Sequence, residues 1–355
     1  MSDTKEFLKK MIAAPGLSGH EAPIRAVIEA EWQALTDELS VSRLGSLHAL
    51  RRGSGPQPRQ SVMVATHMDA IGLMVTGIKE GFLHMTQIGG IDPRVLPGQL
   101  VTVHTADEAL PGIIVQPPAH TLPSEHQSGP VPLTHLLIDV GLQPKQVAEK
   151  VKIGDLVSFA TEPTEMDGEL IAGHSLDNRA SVAVLTETLQ LLQSRNHQWD
   201  VWAVATAQEE ETLGGALTSG YALEPTIAVV IDVTFAKGPG AAPHETYEMD
   251  KGPTIGWGPN IHPKLYKLFK ELADSLEIPV QIELSPRMSG TDAIATQVVR
   301  NGIPTVLIGI PLNYMHTPVE VISMKNVRRA GRLLAEFITG LDAEFMQKLS
   351  WEEAA

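Results

Sequence analysis

The chain contains no cysteine, so disulfides and thiolate chemistry are excluded, and any metal it binds must be held by nitrogen and oxygen. Also missing is a run of about eighteen uninterrupted apolar residues, the length that a membrane-spanning helix requires. The N-terminal segment MSDTKEFLKKMIAAPG carries charge and lacks the apolar core of a signal peptide. It reads as an amphipathic helix, and a cytoplasmic location is expected. Basic charge is scarce: 27 Lys and Arg stand against 42 Asp and Glu, a formal net charge of −15. That balance argues against nucleic acid and anionic membranes as partners. It fits either plain solubility or an acidic cavity that draws cationic groups. The sequence shows no internal repeat and no long low-complexity tract.

What is present is a chain of 355 residues, 43% hydrophobic, long enough for two or three domains. Residues 4–14 and 21–36 carry helical spacing, and LSVSRLGSLHALRRG reads as a hairpin about a glycine-containing turn. SVMVAT is a short buried strand. From about Gly72 to Glu165 the texture changes. GQLVTVHT, GIIVQ and GDLVSFAT are short alternating runs cut by Gly and Pro, the pattern of a small all-β module, with LQPKQVAEKV as its one helical piece. Within it, residues 117–134 (PPAHTLPSEHQSGPVPLT) have no periodicity and read as an exposed loop. Beyond it, alternating helices and apolar strands return. The spacing predicts a long helix from Asn178 to Ser194, helices over 262–277, 291–300 and 324–348, and strands at VWAVATA, TIAVVI, VQIEL and TVLIGI. The simplest organisation is an α/β domain, residues 1–71 and 166–355, interrupted by a β-rich insert, residues 72–165.

Five acid-and-histidine clusters follow apolar, strand-like runs: His67-Met68-Asp69, Asp177, Glu209-Glu210, Asp232 and His316. Carboxylates and imidazoles hold divalent metals, and open α/β sheets place their sites at strand ends. Each cluster also has a plain structural use. His67 and Asp69, two apart in a strand, share a face, with the imidazole on a metal and the carboxylate behind it, or they merely finish the strand. Asp177 either caps the helix that follows or uses its two oxygens to bridge two cations; nearby Arg179 reads as a salt-bridge partner that holds the loop. Of Glu209 and Glu210, one would bind metal and the other move a proton, while Glu211 leaves the register open by one position. Asp232 is a ligand or a turn-former, and His316 precedes Thr-Pro, which fixes an extended local chain. Five plain explanations in this order are improbable, and the set points to a two-metal hydrolase.

Together, THMDAIGLMV, GGIDPRVLPGQ, HSLDNRAS, AQEEETLGGA, VVIDVT, SGTDA and YMHTPVEVIS resemble the TET-type aminopeptidases, metallopeptidase family forty-two, over nearly the full length. The long gap between Asp69 and Asp177 supports this choice, because other peptidases with the same ligand order place an extra domain elsewhere or have none. The resemblance implies a three-layer α/β/α metallopeptidase domain interrupted by a small barrel-like dimerisation domain. It also implies dimers assembling into tetrahedral dodecamers, and peptides with a free N-terminus as substrates. Two divalent metal ions are implied, zinc foremost, with cobalt or manganese also accepted by such ligands. Asp177 would bridge them, His67 and Asp232 would complete one site, and Glu210 and His316 the other. Glu209 would be the general base, taking a proton from water and passing it to the leaving amine, and Asp69 would orient His67 from behind.

The segment FAKGPGAAPHE after Asp232 departs from the commoner acidic version of that loop, which leaves the substrate pocket open. Lys237 and Arg287 would favour acidic N-terminal residues if they faced the pocket, although solubility or a salt bridge is their plainer use. Ser289-Gly290-Thr291-Asp292 reads as a glycine turn into a helix, to which the resemblance adds a place in the cavity wall. Two other readings compete: a deacylase or carboxypeptidase on the same scaffold, and a homologue that has lost catalysis.

Overall fold

The computed structural model describes residues 3–350. The chain opens with α1 (Thr4–Ala13) and α2 (Ala22–Trp32). Asp3 starts the first, its carboxylate accepting the Lys5 amide, and Pro23 sits in the first turn of the second. A hairpin of β1 (Glu38–Val41) and β2 (Leu47–Arg51) leads to β3 (Ser61–His67).

At Gly72 the chain leaves this layer. Strands β4 (Gly72–Lys79), β5 (Phe82–Ile88), β6 (Leu100–His104), β7 (Ala109–Val115), β8 (Leu137–Asp139) and β9 (Leu156–Phe159) close a barrel in the order β4-β5-β8-β7-β6-β9. Every pairing in it is antiparallel, and closure leaves no free edge. Alternate residues point inward, as the period of two requires: Val101 and Val103 of β6 join Leu73, Val75, Ile114 and Val157 in a core separate from the rest of the molecule. Helix α3 (Pro144–Lys150) lies between β8 and β9. The 117–134 segment forms no strand. It makes short 3-10 turns and is exposed along most of its length, as its composition suggests, with Leu122 and Val131 anchoring it in the barrel core.

The chain then returns through β10 (Thr164–Met166), β11 (Leu170–Gly173), α4 (Leu176–Leu192), β12 (Asp200–Thr206), α5 (Glu209–Thr212), α6 (Gly214–Leu223), β13 (Ile227–Phe235) and β14 (Thr254–Trp257). It ends with α7 (Pro263–Ser275), β15 (Gln281–Leu284), α8 (Asp292–Gln297), β16 (Thr305–Asn313), β17 (Glu320–Ser323), α9 (Met324–Thr339) and α10 (Phe345–Lys348). The sheet has eleven strands, ordered β1-β2-β12-β3-β13-β16-β17-β11-β10, with β14 joined to β15 and β16 beside this path. Its centre, β12-β3-β13-β16, is parallel and carries buried runs such as Val62–Ala65 and Ile227–Ile231, the mark of strands covered on both faces. Helices α4 and α9 pack together on one face, and α6 and α8 on the other. This is a three-layer α/β/α sandwich with a barrel set into it.

Several predicted boundaries move. The regular turns of α4 begin at Arg179, because Asp177 and Asn178 have non-helical backbone angles. The helix expected over 291–300 is shorter, and the one over 324–348 is broken at Gly340, between α9 and α10. Strands β10, β11, β14 and β17 carry too few residues for a pattern to show, and their partners lie far away in sequence, as where Leu170 faces Ser323. Among the described residues no helix is long and apolar enough to cross a membrane.

Candidate active site

The parallel strands point their C-terminal ends to one side, where three of the five clusters lie at or just past strand ends and Asp232 lies in the second half of β13. His67 closes β3 opposite Thr206 of β12. Its Nδ1 lies 3.2 Å from the Asp69 backbone oxygen and 3.6 Å from the Asp69 carboxylate. The carboxylate has closer partners, accepting the Glu209 amide at 3.0 Å and the Glu210 amide at 3.2 Å. Asp69, which lies just beyond the end of β3 and not within the strand as its spacing suggested, therefore caps the first turn of α5. Left-handed Gln208 (φ 61°) turns the chain there, and buried Glu21 accepts its amide at 3.0 Å. Glu211 faces away and accepts the amide of Gly89 in the barrel at 2.7 Å. The register left open by three consecutive glutamates is thereby narrowed to Glu209 and Glu210.

Asp177 does not cap α4. One of its oxygens lies 3.1 Å from His67 Nε2 and the other 3.3 Å from His316 Nε2. Asp232 stands inside β13 opposite Gly309, with Oδ1 3.6 Å from His67 Nε2. A side chain at Gly309 would run into Thr254 and Glu283, so glycine keeps that wall open. His316 Nε2 is also 3.4 Å from Glu210 Oε2. His316 itself is left-handed (φ 59°), not extended as Thr-Pro suggested; the proline acts on Thr317 instead. Arg179, read from sequence as a salt-bridge partner, is fully buried and donates to the backbone oxygens of Met11, Ala14, Gly16 and Met68. It holds the loop through carbonyls, not through a carboxylate.

Seven ionisable groups thus crowd one largely buried corner: His67, Asp69, Asp177, Glu209, Glu210, Asp232 and His316. Burial disfavours a charged His67, but Glu209, Asp177, Asp232 and Asp69 outweigh it and hold the ring well above its usual value. Burial likewise opposes the Asp177 charge, yet His316 and His67 keep this carboxyl below its usual range. Burial, with carboxylate neighbours, pushes Glu209 up to about 9 and Glu210 well above the usual range. No Lys or Arg lines the site cavity, and Glu210 Oε1 has no hydrogen-bond partner among the described residues. Packed acids without a cation are costly unless something positive joins them. Two groups, His67 with Glu209 and Asp232 and His67 with Asp177 and Glu210, each bring ligand atoms within 4.8 Å of one another. The donor set fits divalent cations.

The cavity above these groups measures about 470 Å³, and its wall includes Leu213, Phe235, Met315 and Glu283. Ser289, Gly290 and Thr291 also line it, while α8 is capped by Thr291, not by Asp292. Asp292 is buried, holds the Thr206 hydroxyl at 2.5 Å and is pushed by burial to about 7. Lys237 pairs with Glu248 at 2.9 Å, and neither it nor Arg287 reaches the cavity.

Sequence reasoning assigned nothing to Glu320. This residue is 1% exposed, and its carboxylate accepts the Asp177 amide at 3.0 Å and the His316 amide at 3.1 Å. An acid set in the otherwise apolar run VEVIS was the available signal.

Residues 45–333 match the family described as M42 glutamyl aminopeptidase. The chain is 37% identical over 327 residues to a lysyl aminopeptidase of Pyrococcus furiosus, which spans 91% of this chain and 93% of that one. Its structure is similar to that of a TET aminopeptidase from a marine sediment archaeon of the Thaumarchaeota, with a TM-score of 0.92, 31% identity, and coverage of 98% of this chain and 99% of that chain. It is also similar to the TET1 peptidase of Pyrococcus horikoshii, described as able to assemble into a tetrahedron or a large octahedral shell, with a TM-score of 0.83, 29% identity, and coverage of 96% and 100%.

Proposed function

The chain belongs to the M42 glutamyl aminopeptidase family, whose members are peptide hydrolases, and from that premise we propose that it removes N-terminal residues from peptides at a two-metal site. The observation that carries the two-metal reading is Asp177, whose oxygens face His67 and His316 separately. His67, Asp177 and Asp232 would hold one divalent ion, and Asp177, Glu210 and His316 the second. When bound, such ions would supply Lewis acidity, making water easier to deprotonate and the scissile carbonyl easier to attack. Glu209 takes the proton of the attacking water and returns it to the leaving amine. Asp69 keeps Glu209 and Glu210 in register through their amides. Zinc is the first choice among metals, with cobalt and manganese compatible with the same ligands.

The cavity wall bears on the substrate. It offers no Lys or Arg to an acidic side chain, and it adds Glu283 to the acids around the metals. Glu283 also accepts the Thr234 hydroxyl at 3.0 Å. Leu213, Phe235 and Met315 give an apolar wall suited to the stem of a long side chain. This supports a lysyl or neutral preference, in line with the name of the Pyrococcus furiosus relative, over a glutamyl one. The reading further takes residues 72–165 as the dimerisation domain, dimers as the units of a dodecamer, and the cytoplasm as the setting.

The test is a panel of aminoacyl chromogenic substrates on chelated enzyme, with zinc, cobalt or manganese restored one at a time. Lysyl and leucyl substrates are expected to be cleaved only after metal returns, and N-acetylated ones not at all. Cleavage confined to blocked substrates would remove the aminopeptidase reading. Glu209→Gln is expected to retain two metals per chain by elemental analysis while kcat falls roughly 10²- to 10⁴-fold. Near-normal turnover in that metal-replete variant would take Glu209 out of the proton-carrying role.

A further inference from the structure

Glu320 takes no part in the chemistry just described, yet it touches two of the residues that do. Its side chain is buried in β17, within electrostatic reach of Arg179 but with no Lys or Arg in salt-bridge contact among the described residues. Instead each carboxylate oxygen accepts a backbone amide, Oε2 that of Asp177 at 3.0 Å and Oε1 that of His316 at 3.1 Å, and the Leu176 amide beside Asp177 also bears on the carboxylate. Those amides belong to segments that meet only in the fold. Both segments hold non-glycine residues in the left-handed region, Ser175 (φ 65°) before Asp177, and Tyr314 (φ 64°) and His316 (φ 59°) around the other. Such backbone persists only where surrounding contacts fix it.

On the two-metal reading above, we propose that Glu320 is a positioning residue that sets the affinity of the cation site shared by Asp177 and His316. One carboxylate fixes both main chains at once, and with them the 3.3 Å approach of Asp177 Oδ2 to His316 Nε2. Asp69 does the same for Glu209 and Glu210, so each half of the site has its own buried clamp. These N–H donors require an acceptor on each oxygen. An amide in place of the carboxylate keeps the shape but turns one acceptor into a donor, which then faces another donor.

Glu320→Gln tests this in the full-length protein. Cobalt is titrated into chelated wild type and variant, the visible absorption of bound cobalt is recorded, and circular dichroism checks folding. Wild type is expected to take up two ions per chain. The folded variant is expected to bind one with wild-type affinity and the other about 10- to 100-fold more weakly, as loss of an outer partner does at other metal sites. Its cobalt spectrum at one equivalent should match that of wild type. Unchanged affinity at both sites in a folded variant overturns the role of Glu320 alone. Fewer than two ions on wild type overturns the two-metal reading and this proposal with it. Should Glu320→Gln not fold, Glu320→Asp is titrated in its place; it keeps both acceptors but withdraws them by one methylene, and the same two results decide.

Discussion

His174 follows β11, three residues before Asp177, and meets the Phe159 ring of the barrel edge-on at a centroid distance of 4.9 Å. Burial, with Arg179 nearby, pulls it down to about 4. A histidine depressed in this way is neutral in the fold but takes up a proton in the unfolded chain below about 6.5. Its contribution is therefore complete above pH 6.5 and is lost as the pH falls towards 4, about 3 kcal/mol in all at about 1.4 kcal/mol per pH unit. The raised acids Glu209, Glu210 and Glu320 act in the opposite sense, so the informative quantity is a difference between proteins. In urea unfolding at pH 7.5 and 4.5, His174→Asn should lose less stability than wild type, by about 2 kcal/mol. Parallel losses would show that His174 is not the group responsible. At this scale the sequence speaks unevenly. His67, Asp177, Asp232 and His316 stood out because each follows an apolar run, and the fold does bring them together. Half-buried Glu283 and buried Glu320 did not, since their depth depends on packing between distant segments, and Asp292 drew notice only through its turn motif.

Between elements, Arg179 is the principal tie. From the first regular turn of α4 it reaches the end of α1, the loop behind it and the end of β3 through four carbonyl oxygens. Burial lowers even this guanidinium, to about 9, a sign of how little water reaches it. Arg179→Met would fill much of the volume but leave these carbonyls without their donor, at about 3 kcal/mol or more by the cost of unsatisfied buried groups. Arg179→Lys keeps the charge but presents one compact ammonium where a planar fork is needed. The urea midpoint should fall in both variants, further for Met; a wild-type midpoint for Arg179→Met would refute the tie. The helices and central strands of this layer were readable because hydrophobic period is a local property. Strands β11 and β17 were not, because they are defined by pairing with each other, and the non-helical backbone at Asp177 and Asn178 falls where the sequence places the helix start.

At the scale of the whole molecule there are two separate cores, one around the sheet and one inside the barrel. The barrel is more than an appendage: its Gly89 amide holds Glu211, and its Gly90 backbone meets the His316 ring. The insert was legible because Gly and Pro punctuate short strands so regularly, whereas its closure into a barrel depends on pairings that no local pattern records. On its outer face Leu100, 61% exposed, lies directly opposite Ile113 across β6 and β7. A barrel has no strand edge to offer a partner, so association through it would use such side chains. If this face makes the proposed dimer, Leu100→Glu with Ile113→Glu places like charges on both sides of a two-fold contact, where the same patch must meet itself. Light scattering on wild type should give about 460 kDa for twelve copies of a 38.3 kDa chain. The double variant, with its circular dichroism unchanged, should give a much smaller particle that still binds cobalt. A variant that stays at the wild-type mass would place the dimer contact on another face of the chain.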